Sequence, residues 1–162
     1  PKIFRLRKGD GLNEGVFRGE TINTPSMLCV EDYLDALSWS ESVGGLKGLM
    51  ARADSNLEAL EAWAAERDWI DFLAPKPIRS NTSVCLKITD GRITALDADA
   101  QQAFIKSMTG LLAKNEAAYD LAGYRAAPPG LRIWCGATVE TADVEALTGW
   151  LDWAFAEAVA SL

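Results

Sequence analysis

Histidine does not occur in this 162-residue chain. Imidazole general acid–base catalysis, Ser-His-Asp triads and the common zinc sites are therefore excluded for this chain taken alone. Cysteine is scarce: Cys29, Cys85 and Cys135 are far apart, odd in number and form no CxxC pair. That pattern suggests buried thiols and a reducing, cytoplasmic compartment, not a disulfide framework. Positive charge is short as well, with Lys plus Arg at 16 against Asp plus Glu at 23 and a net charge of -7. The one basic cluster, Arg5, Arg7 and Lys8, is too brief to track a phosphate backbone, so nucleic acid is a poor partner. No apolar run approaches the ~20 residues of a membrane span, and no signal peptide is visible. A starting methionine is also missing. The chain opens at Pro1, which suggests a fragment or a processed chain.

What is present is the composition of an ordinary globular domain, 49% hydrophobic and 24% charged. Residues 1 to 23 read as an irregular or β-rich lead-in. Thr24-Pro25 predicts a helix start with Thr24 as cap, followed by Met27, Val30, Leu34 and Leu37 at helical spacing and a stop at Gly44-Gly45. The clearest helical stripe is Leu46, Leu49, Met50, Ala53, Leu57, Leu60 and Ala64. Thr82 to Ile88 alternates, with Val84, Leu86 and Ile88 on one face, as a half-buried strand does. Asp97 or Asp99 opens a helix with Phe104, Ile105, Met108, Leu111 and Leu112 inward. Tyr119 to Leu121 predicts a short strand, Leu131 to Cys135 another, and Thr141 the cap of a last helix bearing Val144, Leu147, Leu151, Ala154 and Ala158. The order predicts an α+β fold, helices layered on a small, mostly antiparallel sheet.

Three segments could carry chemistry. GETINTPS places Asn23 and Thr24 ahead of a helix, where free amides and the helix dipole favour phosphate; plain capping by Thr24 is the alternative. In RSNTSVC, Arg79 either faces a cleft or is a surface arginine. In YRAAPPGLRIWCGATVE, Arg132 lies between Leu131 and Ile133. A guanidinium there needs an anion, because an unpaired buried charge is costly. A substrate carboxylate held by the planar fork and an internal Asp or Glu both satisfy that need. Of the six tryptophans, most are expected in the core, with Trp150 or Trp153 facing a part of the protein not present.

In order along the chain, GETINTPSMLCVEDYLDAL, RSNTSVCLKI, ALDADAQ and PPGLRIWCGATVE resemble the phosphoserine aminotransferase family, in the branch typical of alphaproteobacteria. The resemblance implies the small C-terminal domain of a fold-type-I transferase dependent on pyridoxal 5'-phosphate (PLP). Residues 1–25 would lead in from a missing N-terminal large domain, and residues 26–162 would form the small domain. The full-length enzyme would be a cytoplasmic homodimer that moves an amino group between O-phospho-L-serine and 2-oxoglutarate, giving glutamate, in serine biosynthesis. Many members also serve pyridoxine biosynthesis.

By resemblance, Asn23 and Thr24 match the segment that reaches the PLP phosphate of the neighbouring subunit. Arg132 matches the arginine that grips the α-carboxylate. Arg125 matches an arginine at the substrate phosphate, Tyr124 stands where many relatives have histidine, and the loop from Arg125 to Arg132 is one residue longer than theirs. The lysine that forms the family's Schiff base with PLP lies upstream in those enzymes, and none of the seven lysines here stands in its context. Lys87, the one in a convincing strand, falls on the polar face. The resemblance therefore implies a fragment that is inactive alone. A stand-alone binding or regulatory module derived from such a domain is the alternative.

Overall fold

The computed structural model describes residues 6–21, 23–124 and 126–162. The chain divides into two compact units, residues 1–45 and 46–162.

In the first unit, β1 (Arg7–Lys8) and β2 (Gly11–Leu12) pair as an antiparallel hairpin. A 3-10 turn over Glu14–Arg18 ends at Gly19, whose φ of 87° needs a residue without a Cβ. Helix α1 follows (Met27–Ser42), and its cap is Ser26, not Thr24. The helix begins two residues later than Thr24-Pro25 suggests. The capping hydroxyl must come from the residue just before the first helical one, so Ser26 Oγ accepts the Cys29 amide, at 3.5 Å. None of the residues of α1 is buried; Met27, Val30, Leu34 and Leu37 are all exposed.

The second unit contains the core. Helix α2 (Gly45–Ala65) leads to β3 (Ile70–Phe72), β4 (Ser83–Ile88), the short α3 (Gly91–Thr94), α4 (Ala98–Lys114), β5 (Gly130–Trp134) and α5 (Thr141–Ala160). The sheet order is β3-β4-β5, antiparallel throughout. Its register sets Phe72 beside Leu86 and Leu86 beside Leu131, with Val84 beside Ile133. Period-2 alternation therefore collects Ile70, Phe72, Val84, Leu86, Ile88, Leu131 and Ile133 on one buried face. The helices pack against that face. Leu60 of α2, Ile105, Met108 and Leu112 of α4, and Leu151 and Ala154 of α5 are essentially inaccessible. Trp69 stacks on Phe155 at 4.1 Å between centroids and meets Trp63 edge-on at 5.7 Å. This is the α+β layering expected from the sequence.

Several local expectations change. On α2 the stripe is buried only from Ala53 onward, and Leu46 and Met50 are exposed. The Tyr119–Leu121 segment forms no strand; an isolated bridge joins the next residue, Ala122, to Leu131. Thr141 is the first residue of α5 and not its cap, a position taken by Glu140 without a side-chain bond. The Thr141 hydroxyl is used elsewhere: it donates to Asn56 Oδ1 at 2.7 Å. Asn56, fully buried, in turn donates to the carbonyls of Cys135 and Val139, both at 3.1 Å. These bonds tie the loop after β5 to α2. Asp97 does cap α4, accepting the Ala100 amide at 2.8 Å. Of the cysteines only Cys135 is buried; Cys29 is exposed and Cys85 intermediate.

Candidate functional site

The face of the sheet opposite the core carries Asp71, Ser83, Cys85, Lys87, Arg132 and Trp134. Register brings Cys85 beside Arg132 and Ser83 beside Trp134. Arg132 is thus not surrounded by its sequence neighbours Leu131 and Ile133, whose side chains point the other way. Its side chain is 23% exposed. On the far edge of β5 the irregular segment 121–123 runs alongside. The Arg132 amide donates to the Leu121 carbonyl at 2.8 Å, and the Gly123 amide to the Gly130 carbonyl at 3.1 Å. This lays Asp120 and Tyr124 against the Arg132 side chain.

Among the described residues, Asp120 and Tyr124 lie against the guanidinium. Nη2 donates to Asp120 Oδ2 at 2.5 Å, and its carbon lies 4.6 Å from the centre of the Tyr124 ring, within cation–π range. Hydrogen bonding to Arg132, and then to Ser83, holds the Tyr124 phenol below its ordinary range. Tyr124 in turn raises the Arg132 guanidinium, with Asp120 adding to the effect. Arg132 opens onto a cavity of about 350 Å³ whose wall includes Ser83, Tyr119, Asp120, Trp134 and Leu147. An arginine on the wall of an otherwise largely apolar hollow is suited to orient a small acid by its carboxylate.

The other candidates fall in different places. Arg79 belongs to a separate structural cluster: it donates to Glu61 at 2.5 Å and its guanidinium covers the Phe72 ring at 3.6 Å. Lys87 is on the outward face, as alternation implies, and pairs with Asp71 at 3.2 Å. Asn23 and Thr24 lie in the first unit, both exposed, just ahead of α1; the Thr21 hydroxyl donates to the Asn23 carbonyl at 2.7 Å. Arg125 lies outside the described residues. Sequence reasoning missed Asp120, Ser83, Tyr119 and Trp134 as cavity residues. Alternation along β4 and β5 could have found Ser83 and Trp134. Nothing local marks Asp120, which is placed by a left-handed backbone, φ 55°.

No protein-family model matches the chain. Among curated proteins it is 51% identical over 156 residues to the phosphoserine aminotransferases of Methanosarcina mazei and Methanosarcina barkeri, covering 96% of this chain. The phosphoserine aminotransferase of a Nocardioides species is 29% identical over 138 residues. The chain spans 40% of the length of the two Methanosarcina relatives. Among solved structures it superposes on phosphoserine aminotransferase from Bacillus circulans subsp. alkalophilus with a TM-score of 0.67 at 18% identity, over 88% of this chain and 36% of that one. A PLP-bound phosphoserine aminotransferase from Trichomonas vaginalis gives 0.68 at 19% identity, over 85% and 36%.

The superposition gives this α+β layer the fold of part of the solved phosphoserine aminotransferases, over 36% of their length. At the level of sequence, the chain belongs to the phosphoserine aminotransferase family.

Asn23 and Thr24 carry donors of a kind that a phosphate group accepts from. An amide and a hydroxyl, both exposed and ahead of the N-terminus of a 16-residue helix, offer neutral donors and a favourable dipole to a phosphate dianion.

Proposed function

We propose that this chain provides the substrate-carboxylate side of a phosphoserine aminotransferase, with Arg132 as the gripping residue. The whole protein would transfer an amino group between O-phospho-L-serine and 2-oxoglutarate, yielding 3-phosphohydroxypyruvate and glutamate. The observation that carries this reading is Arg132 on the wall of the 350 Å³ cavity, on the sheet face turned away from the core. The 51% identity to the Methanosarcina proteins supports it.

Within that reading, Arg132 fixes the orientation of the amino or keto acid through its carboxylate. Trp134 and Leu147 give the cavity an apolar wall beside the held acid. Tyr124, stacked on the guanidinium, restrains it, and Arg125 would meet the substrate phosphate. Asn23 and Thr24 would hold the phosphate of PLP in a neighbouring subunit of a homodimer. PLP held there would supply an electron sink for the substrate α-carbon. The lysine that carries the cofactor would come from the remaining part of the protein, so these 162 residues alone are inactive. Residues 1–25 would lead in from that larger domain and 26–162 form the small one. Serine biosynthesis in the cytoplasm, with a second role in pyridoxine biosynthesis, is the setting the family suggests.

The test is a chimaera in which this chain replaces the matching 156 residues of the Methanosarcina mazei protein. With PLP, the chimaera forms glutamate from its two substrates and the 162-residue chain alone does not. A chimaera that folds and binds PLP but forms no glutamate would overturn the assignment; turnover by the chain alone would overturn the division of labour.

A further inference from the structure

Arg132 already holds a carboxylate, that of Asp120. The contact is one-sided. A single guanidinium nitrogen, Nη2, donates to Oδ2 at 2.5 Å and more weakly to the Asp120 carbonyl at 3.4 Å. Exposure is unequal too: the Asp120 side chain is 85% exposed and that of Arg132 23%. Arginine is anchored on β5, whereas the aspartate reaches in from solvent and can return to it. Both residues line the same cavity, so the aspartate carboxylate occupies ground that an entering acid needs. Its backbone is left-handed, φ 55°, a conformation that Asp and Asn tolerate better than most residues. The placement is therefore a property of this residue type at this position.

We infer that Asp120 is an exchangeable counter-carboxylate for Arg132, displaced when an amino-acid or keto-acid carboxylate enters. The inference rests on the reading of Arg132 as the carboxylate grip. Two parallel hydrogen bonds from the planar fork favour the incoming ligand over the single bond to Asp120. Being tethered, Asp120 competes without any loss of translational freedom, at a high effective concentration. It therefore lowers the affinity of the site for every carboxylate. An acid that engages only one guanidinium nitrogen gains no advantage over Asp120, whereas one that engages two does. Asp120 is in this sense a built-in competitor of the incoming carboxylate.

The test is a calorimetric titration of the PLP-loaded Methanosarcina mazei chimaera with 2-oxoglutarate. Asp120→Asn removes the charge and keeps the backbone preference; Asp120→Gly removes the side chain and also accepts positive φ. Both variants should bind about three- to fivefold more tightly than the parent, the upper range for release from an exposed ion pair. Arg132→Met should abolish the binding. Unchanged or weaker binding in both Asp120 variants, with loss in Arg132→Met, overturns the counter-carboxylate and leaves the grip standing. Equal binding by Arg132→Met and parent, or saturable binding by none of the four chains, overturns the grip itself.

Discussion

The three cysteines show how far environment, and not residue type, decides chemistry. Cys135 follows β5 directly, is fully buried, and burial pushes its thiol up to about 12. A thiol is nucleophilic only as thiolate, so Cys135 should be inert at pH 8 in the folded chain. Cys29, exposed on α1, should react with a thiol reagent within the mixing time of a routine assay, and Cys85 more slowly. Mass spectrometry of the labelled chain checks the order; early modification of Cys135 without unfolding would contradict the burial. At this scale the sequence was only partly legible. Three isolated cysteines suggest buried thiols, but Cys29 falls on a helix whose apolar residues are exposed. Arg132 was legible as an arginine needing an anion. Its partner was not, because Asp120 is twelve residues away and reaches Arg132 through a left-handed turn that no local pattern announces.

At the scale of elements, the strand pair β4–β5 positions the candidate site, and Gly130 leaves no room for a side chain between the two strands. A Cβ there would collide with the Leu86 carbonyl oxygen on the neighbouring strand. Backbone cannot yield as a flexible side chain can, so Gly130→Ala should force the strands apart at the Leu86–Leu131 pair. The expected loss is about 1–3 kcal/mol, the usual range for overpacking, read as a lower urea midpoint with an unchanged slope. Unaltered stability would show that the approach relaxes freely. Strands and helices with strong periodicity were legible: Val84, Leu86 and Ile88 alternate inward as the sequence implies, and Phe104, Ile105, Met108 and Leu112 form the buried stripe of α4. Caps were harder. Thr24 and Thr141 each stand near a helix start, yet capping depends on a single position, and Ser26 and Glu140 hold it. The segment after Tyr119 lies along β5 through one bridge only, too little backbone pairing to register as a strand.

For the whole molecule, carboxyls paired in the folded chain make stability depend on pH in a calculable direction. Hydrogen bonding to Lys76 leads the effects that hold the Glu61 carboxyl below its ordinary value, with Arg79 adding to it. Arg92 does the same for Asp90, which also caps α3. A carboxyl with a depressed folded-state value stabilises the fold above its unfolded value, near pH 4.3 for glutamate. That contribution is lost as pH falls through the folded value. Urea midpoints should therefore decline from about pH 5 to pH 3, and Glu61→Gln should lower the neutral-pH midpoint while flattening that decline. An equally steep decline in the variant would contradict the assignment. The α+β class was legible from the order of elements, and the family from the order of motifs. The outward sheet face with its cavity emerged only when register aligned Ser83 with Trp134 and Cys85 with Arg132. The most direct test of the central claim is the KM of the Methanosarcina chimaera after Arg132→Ala. Loss of a charged two-point contact is worth about 2–5 kcal/mol when desolvated, so KM for both O-phospho-L-serine and 2-oxoglutarate should rise by roughly 30-fold or more. A KM unchanged for both substrates would remove Arg132 from the site.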